Sequence, residues 1–226
     1  DEYQEDREHL SPKTTHNHLT LLISCINRAK DKGWITHTPK IQKPKLGEIE
    51  FSYLQTENEI RTFLDAAKSE SVLAYTLYAT AIYSGLRAGE ISGLRWSDID
   101  FESAQWNIPH TKNGKPHIIP LVKPALDILK SRRLKTNSEW VFPSSKSKSG
   151  HLENPFPIWK QILKDAKITN LRLHDLRRTL GSWQAALGSN SYVIGKSLGH
   201  TSVQATAIYA RLDLNPVRQS VNSAVD

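Results

Sequence analysis

Four stretches of the chain carry side chains whose types and spacing suit work on a phosphate. In His174-Asp175-Leu176-Arg177, the histidine and arginine lie three apart, which on a helix puts both on one face. An arginine grips phosphate oxygens in a fork, and a histidine beside it can hydrogen-bond or move a proton. In Ser84-Gly85-Leu86-Arg87-Ala88-Gly89-Glu90, the glycines permit close backbone approach at a helix break. Arg87 projects from that break, with Glu90 three residues on to hold it. Thr111-Lys112-Asn113-Gly114 places Lys112 beside a tight turn, where its ammonium can swing into a neighbouring site. Leu198-Gly199-His200 puts a histidine after a glycine at a helix end, and Tyr209 follows nine residues later. Each stretch alone has an ordinary reading: a surface ion pair, an exposed hairpin lysine, or a core tyrosine with its hydroxyl at the rim.

The elements that must position these residues are mostly helical. Ser11-Pro12 reads as a helix start, with Leu19, Leu22, Ile23, Ile26 and Ala29 at helical spacing and Gly33 as the stop. Thr56 and Glu59 form a capping box before Ile60, Phe63, Leu64 and Ala67. Further helices are expected from about Val72 to Tyr83 and from Gly89 to Leu94, with Ser84-Gly85 between them. Three short strands follow, at Trp96–Phe101, Gln105–Ile108 and His117–Leu121, with Asn113-Gly114 as a hairpin turn. Beyond Pro124 the pattern is helical over roughly 124–134, 155–167, 175–187, 190–197, 202–211 and 216–224, with Tyr209 inside the fifth of these. The fold class is therefore mainly α with a small three-stranded antiparallel sheet.

Between Thr38 and Gly47 the stretch TPKIQKPKLG reads as an extended basic linker, which sets a domain boundary after residue 46. Hydrophobic content of 38% and charged content of 23% allow a packed core and argue against wholesale disorder. The net charge is +7, although the first ten residues are dominated by Asp1, Glu2, Glu5, Asp6 and Glu8. So basic a body suggests a polyanionic partner, most commonly nucleic acid. The single cysteine, Cys25, excludes an internal disulfide and reads as a buried small hydrophobe. The chain fits a reducing compartment. No apolar run is long enough to span a bilayer. A chain without methionine, even at position 1, is expected to be a piece of a longer protein.

Taken in order, these motifs change the reading. Gly-Leu-Arg, a lysine before a hairpin turn, His-x-x-Arg, Leu-Gly-His and then a tyrosine nine residues on resemble the ordered signature of the tyrosine recombinases, over about residues 50–226. The pieces TKNGKPHIIPL, LRLHDLRRTLGS and LGHTSVQATAIYARL are similar to phage and genomic-island integrases. Residues 11–46 resemble the last helix and linker of that family's core-binding domain. The resemblance divides the chain into 1–46, the end of a core-binding domain with a basic linker, and 47–226, a catalytic domain with a C-terminal assembly tail.

It implies a tyrosine recombinase/integrase catalytic-domain fold and a site-specific DNA recombinase acting through a 3′-phosphotyrosine on Tyr209. Arg87 and Arg177 would bind the non-bridging oxygens and Lys112 would protonate the leaving 5′-oxygen. His174 would assist proton removal from Tyr209 or position it, and His200 would hydrogen-bond the phosphate. No cofactor or metal is implied. The implied partners are double-stranded DNA, a homotetramer on synapsed DNA that is weakly associated or monomeric when free, and accessory DNA-bending proteins. The implied location is the bacterial cytoplasm, at the nucleoid. Lys115 rivals Lys112, but the Thr-Lys-x-Gly frame favours Lys112. Arg95 and Arg178 fall out of the family's catalytic frame and read as structural or DNA-backbone contacts. His117 stands where many relatives have Arg or Lys to contact DNA, a departure that tells against that contact and not against the activity. A type IB topoisomerase shares the chemistry, and a binding module that has lost catalysis is the reading from another class.

Overall fold

The structure is a computed structural model that describes residues 10–47, 52–109, 114, 116–154, 157–200 and 202–209. The chain clusters into two compact units, Asp1–Glu50 and Phe51–Asp226.

The described part of the first unit is one helix, α1 (Pro12–Asp31), and an extended segment after it. Ser11 caps α1 by accepting from the Thr14 amide at 3.2 Å, and proline fills the first helical position. His16 reaches forward to the Pro44 carbonyl at 3.2 Å, tying the extended segment back to the helix. The apolar row is only partly covered: Leu19 is buried, while Leu22 is 46% exposed. Cys25 is exposed, contrary to the expectation of a buried hydrophobe. At about 100° per residue it lies about a third of a turn off the row that runs through Leu19, Ile23 and Ile26.

The second unit is built around α3 (Val72–Ser84), whose sequence VLAYTLYATAIYS contains no charge. A helix apolar on all sides must be buried on all sides. Here α2 (Glu57–Glu70) packs on it, as do α5 (Lys123–Arg133) and α7 (Leu173–Ala186). Its hydroxyls turn inward without breaking the helix: Thr76 donates to the Val72 carbonyl at 2.8 Å and Ser84 to that of Thr80 at 2.6 Å. Phe63, Tyr78 and Trp159 meet edge-on or tilted, with centroids 5.3–5.8 Å apart, and join α2, α3 and α6 (Trp159–Asp165). The Thr56–Glu59 capping box is present at the start of α2, with both of its hydrogen bonds at 3.1 Å.

The sheet has the order β1-β2-β3 and is antiparallel: β1 (Ile99–Asp100), β2 (Gln105–Ile108) and β3 (His117–Pro120). Its first strand is shorter than expected. Asp98 accepts from the Arg95 amide at 3.3 Å and closes a 3-10 turn over Trp96–Asp98, leaving only two residues for the ladder. Trp106 and Ile108 turn inward, and the register ends at the pair Ile108↔His117. The short helix after the Gly85 break is α4 (Ala88–Ser92), which stops at Gly93.

Two short helices end the described part of the unit, α8 (Ser191–Ser197) and α9 (Val203–Ala207). Helix α9 ends before Tyr209, which the sequence placed inside it; Tyr209 stands in the turn just beyond. Five residues cannot sustain a helix alone, so the contacts Tyr209 makes with its neighbours decide its conformation. Tyr209, Ala185, Ile194 and Leu198 form a small apolar cluster of their own, distinct from the main core. The expected helix over 216–224 lies outside the described residues, and so do Pro155 and Phe156 at the start of the expected helix 155–167. Among the described residues no helix is long and apolar enough to cross a membrane.

Candidate active site

Two turns and one helix bring the site together. The first turn follows α3, where Gly85 takes φ +62° and its amide returns to the Ala81 carbonyl at 3.0 Å. Glycine suits this left-handed conformation, and a β-carbon on Gly85 would in addition stand 2.6 Å from Leu198 Cδ2 and 2.8 Å from Leu180 Cδ2, so that both leucines would have to shift. Arg87 is the N-cap of α4. Its amide donates to Glu90 Oε2 at 3.0 Å and its guanidinium to Glu90 Oε1 at 2.9 Å, so one carboxylate both caps the helix and fixes the arginine.

The second turn is Leu198-Gly199-His200. The His200 amide donates to the Gly195 carbonyl at 2.8 Å, and Gly199 takes φ +61°. Arg177 on α7 links the two turns: Nη1 donates to the Gly85 carbonyl at 2.7 Å and Nη2 to the Leu198 carbonyl. Arg177 is 3% exposed. Burial first, then the charge of Arg87, pulls its pKa down to about 10, which still leaves it cationic at neutral pH. Two arginines face one carboxylate, Glu90. Asp175, fully buried, is already paired with Arg178 at 2.8 Å and takes the Arg172 amide at 2.8 Å. The site therefore keeps an excess positive charge in a partly dry setting, which suits one phosphodiester.

His200 is held by Thr206, with Nδ1 and Oγ1 2.8 Å apart. Burial and the charges of Arg177 and Arg87 lower its pKa to about 4, so the ring is neutral at pH 7. If the Thr206 hydroxyl donates to Nδ1, the proton sits on Nε2 and becomes the donor to a ligand. Tyr209 stacks on this ring, with centroids 6.3 Å apart and planes at 11°. It is 2% exposed, and its ring lies on Gly181 of α7, where a β-carbon would come 2.6 Å from Cζ. Burial raises the phenol pKa, and the charges of Arg177 and Arg178 oppose the rise. His174 stands in the first turn of α7 and is exposed. Loss of water on its protein side, then Arg177 and Arg178, lower its pKa.

Of the six residues singled out in sequence, Arg87, His174, Arg177, His200 and Tyr209 converge on these two turns and α7. Lys112 lies outside the described residues, as does Lys115. Arg178 pairs with Asp175, and Arg95 pairs with Glu139 while its guanidinium lies 4.0 Å over the Trp140 ring. Thr206 and Gly181 were not singled out by the sequence reading. A glycine inside a helix costs about 1 kcal/mol against alanine, so Gly181 in the middle of α7 was a usable signal of close approach. An apolar groove of about 510 Å³ between α2, α3 and α7 touches Thr179 and Leu180 but none of the six residues.

The fold and this constellation define a catalytic domain of the tyrosine recombinase type. The chain matches the phage integrase family over residues 54–215, and it belongs to that family. It is 24% identical over 199 residues to the tyrosine recombinase XerA of Pyrococcus furiosus, covering 86% of this chain and 69% of that protein. The crystal structure of a XerA recombinase superposes with a TM-score of 0.63 at 25% identity, over 78% of this chain and 66% of that one. The Tn1549 transposon integrase, solved in complex with transposon right end DNA, shares the fold with a TM-score of 0.79 at 16% identity, over 99% of this chain and 83% of that one. The activity that comes with family membership is tyrosine-type site-specific recombination.

Proposed function

We propose that the chain cleaves and rejoins double-stranded DNA through a covalent bond to Tyr209, and so drives integration or excision of a mobile element. What chiefly supports this is Arg177, a buried cation bridging the Gly85 and Leu198 carbonyls between Arg87 on one side and the stacked His200–Tyr209 pair on the other. Arg87 and Arg177 would hold the two non-bridging oxygens and neutralise charge that grows in the transition state. The Nε2–H of His200 would donate to the same phosphate. Tyr209 Oη attacks phosphorus, a phosphotyrosine bond forms, and the bond to the 5′-oxygen breaks. His174 would accept the phenol proton, and Lys112 would give a proton to the departing 5′-oxygen. The 5′-hydroxyl of the partner strand then reverses the step. One ester replaces another, so no external energy source is needed.

On this reading residues 1–46 are the end of a core-binding domain with its basic linker, and 47–226 the catalytic domain. The working form would be a homotetramer on synapsed DNA, monomeric or weakly associated when free and helped by DNA-bending proteins, in the bacterial cytoplasm at the nucleoid. The tail from Leu214, where Val217, Val221 and Ala224 recur at helical spacing in the sequence, would act in assembly. The test is incubation with a nicked suicide substrate, followed by a denaturing gel. A covalent adduct that survives EDTA and is lost in Tyr209→Phe, with DNA binding retained, is the expected result. An adduct in Tyr209→Phe overturns the choice of nucleophile. Binding without any adduct would favour the non-catalytic module, and relaxation of supercoiled DNA without site preference would favour the topoisomerase.

A further inference from the structure

The resemblance places His117 where many relatives contact DNA with Arg or Lys; here its ring is directed inward, onto the Leu198-Gly199-His200 turn. A β-carbon on Gly199 would stand 3.1 Å from both Cδ2 and Nε2 of His117 and 3.4 Å from Cε1. His117 is the last residue of the β2–β3 register, paired with Ile108, so its backbone belongs to the sheet. The same turn is held elsewhere by Arg177 on the Leu198 carbonyl and by the Leu198 side chain against Gly85. His117 Nε2 is buried and, among the described residues, makes no hydrogen bond of good geometry, although the Ser197 carbonyl faces the ring. A buried polar atom left without a partner costs stability and calls for a reason.

We propose that His117 is a positioning residue that braces the Leu198-Gly199-His200 turn from the sheet, and through it sets the His200 imidazole for cleavage. This rests on the reading of His200 as a phosphate ligand. A flat ring over a bare glycine leaves the turn little room to move on that side. The charged groups around the ring are Glu90 of α4, Arg87 at its N-cap and Arg177 of α7. Burial, opposed by the Ser197 carbonyl and Glu90, and reinforced by the two arginines, lowers the pKa of His117. A neutral ring can lie against the cationic site, whereas arginine or lysine would bring a third positive charge.

The test is a double-mutant cycle with His200, read as single-turnover cleavage of a suicide substrate alongside half-site binding. His117→Ala should slow cleavage about 10-fold with half-site affinity unchanged, since a small misplacement of a reacting group costs rate rather than binding. In the His200→Ala background the same change should have no further effect, because the brace acts only through His200. The defect should persist with a 5′-phosphorothiolate leaving group, which needs no proton. Additive effects, or rescue by the sulfur leaving group, would overturn the proposal; rescue would show that His117 serves the hairpin lysine instead. Undiminished cleavage by His117→Ala, with His200→Ala impaired, removes this proposal alone. Undiminished cleavage by His200→Ala removes the parent reading and this one with it. Should His117→Ala fail to fold, the cycle is run with His117→Asn, for which the same outcomes decide.

Discussion

The Tyr209 ring lies on the bare backbone of Gly181, and a β-carbon there would come 2.6 Å from Cζ, 2.7 Å from Cε1 and 3.0 Å from Leu198 Cδ1. Cζ carries the hydroxyl, so the reacting end of the ring is the part in contact. Gly181→Ala would favour the helix by about 1 kcal/mol and still push the phenol aside. A displacement near 1 Å at a reacting atom costs on the order of 10²-fold in rate. Covalent adduct formation should therefore fall by roughly 10- to 100-fold in Gly181→Ala, with half-site binding retained in a gel-shift assay. Wild-type adduct yield from this variant would mean that the tyrosine reacts from a different seat.

Arg177 and Arg87 should differ sharply under the same substitution. Arg177 is 3% exposed and donates to two carbonyls on separate turns. Lysine offers one nitrogen on a flexible stem and cannot span both. Arg177→Lys should lose about 1–3 kcal/mol of stability by urea unfolding, the cost of a buried carbonyl left unpaired, and cleavage with it. Arg87, with its side chain 26% exposed and bound to Glu90, should lose cleavage in Arg87→Lys while stability stays within about 1 kcal/mol. Equal destabilisation in the two variants would contradict the bridging role of Arg177.

The parts legible in sequence were those carried by residue type and short spacing. Gly85 before Arg87, His174 three before Arg177 and the capping pair Thr56–Glu59 all act within one turn of chain. What could not be read was set by distant approach. Gly181 meets Tyr209, Gly85 meets Leu198, and Gly199 meets His117, each across many residues of sequence. A glycine shows that something comes close, but not what. Cys25 misled because it lies within an apolar stretch of sequence but off the row of that helix that is covered. Tyr209 fell outside its expected helix because burial against α7, rather than local propensity, places it.

Lys112 can be tested through the leaving group. Lys112→Ala should slow cleavage of an ordinary phosphodiester by about 10²- to 10⁴-fold, the usual contribution of a positioned acid. A 5′-phosphorothiolate at the scissile position should restore most of the rate, because a thiolate departs without a proton. The same pair of substrates applied to Lys115→Ala separates the two lysines. Rescue confined to Lys115→Ala would transfer the role to that residue.

The histidines of the site should make the protein acid-sensitive. His200 has a folded pKa of about 4, against about 6.5 for an unperturbed imidazole. Between those values the unfolded chain takes up a proton that the folded site resists. Unfolding is therefore favoured as pH falls through this window, and the loss is complete below about 4. His117 and His174 are shifted in the same direction and add to the slope. The lowered carboxylates, Asp100 and Glu153, begin to lose their contribution only as pH falls into the usual carboxylate range, and so do not account for a loss that begins near pH 6. Urea midpoints should be level from pH 8 to 7 and then decline steadily toward pH 4.5. His200→Gln keeps a polar side chain beside Thr206 and removes the titrating group, so its midpoint should decline less over the same interval. A decline as steep as that of the wild type would place the acid sensitivity on other groups.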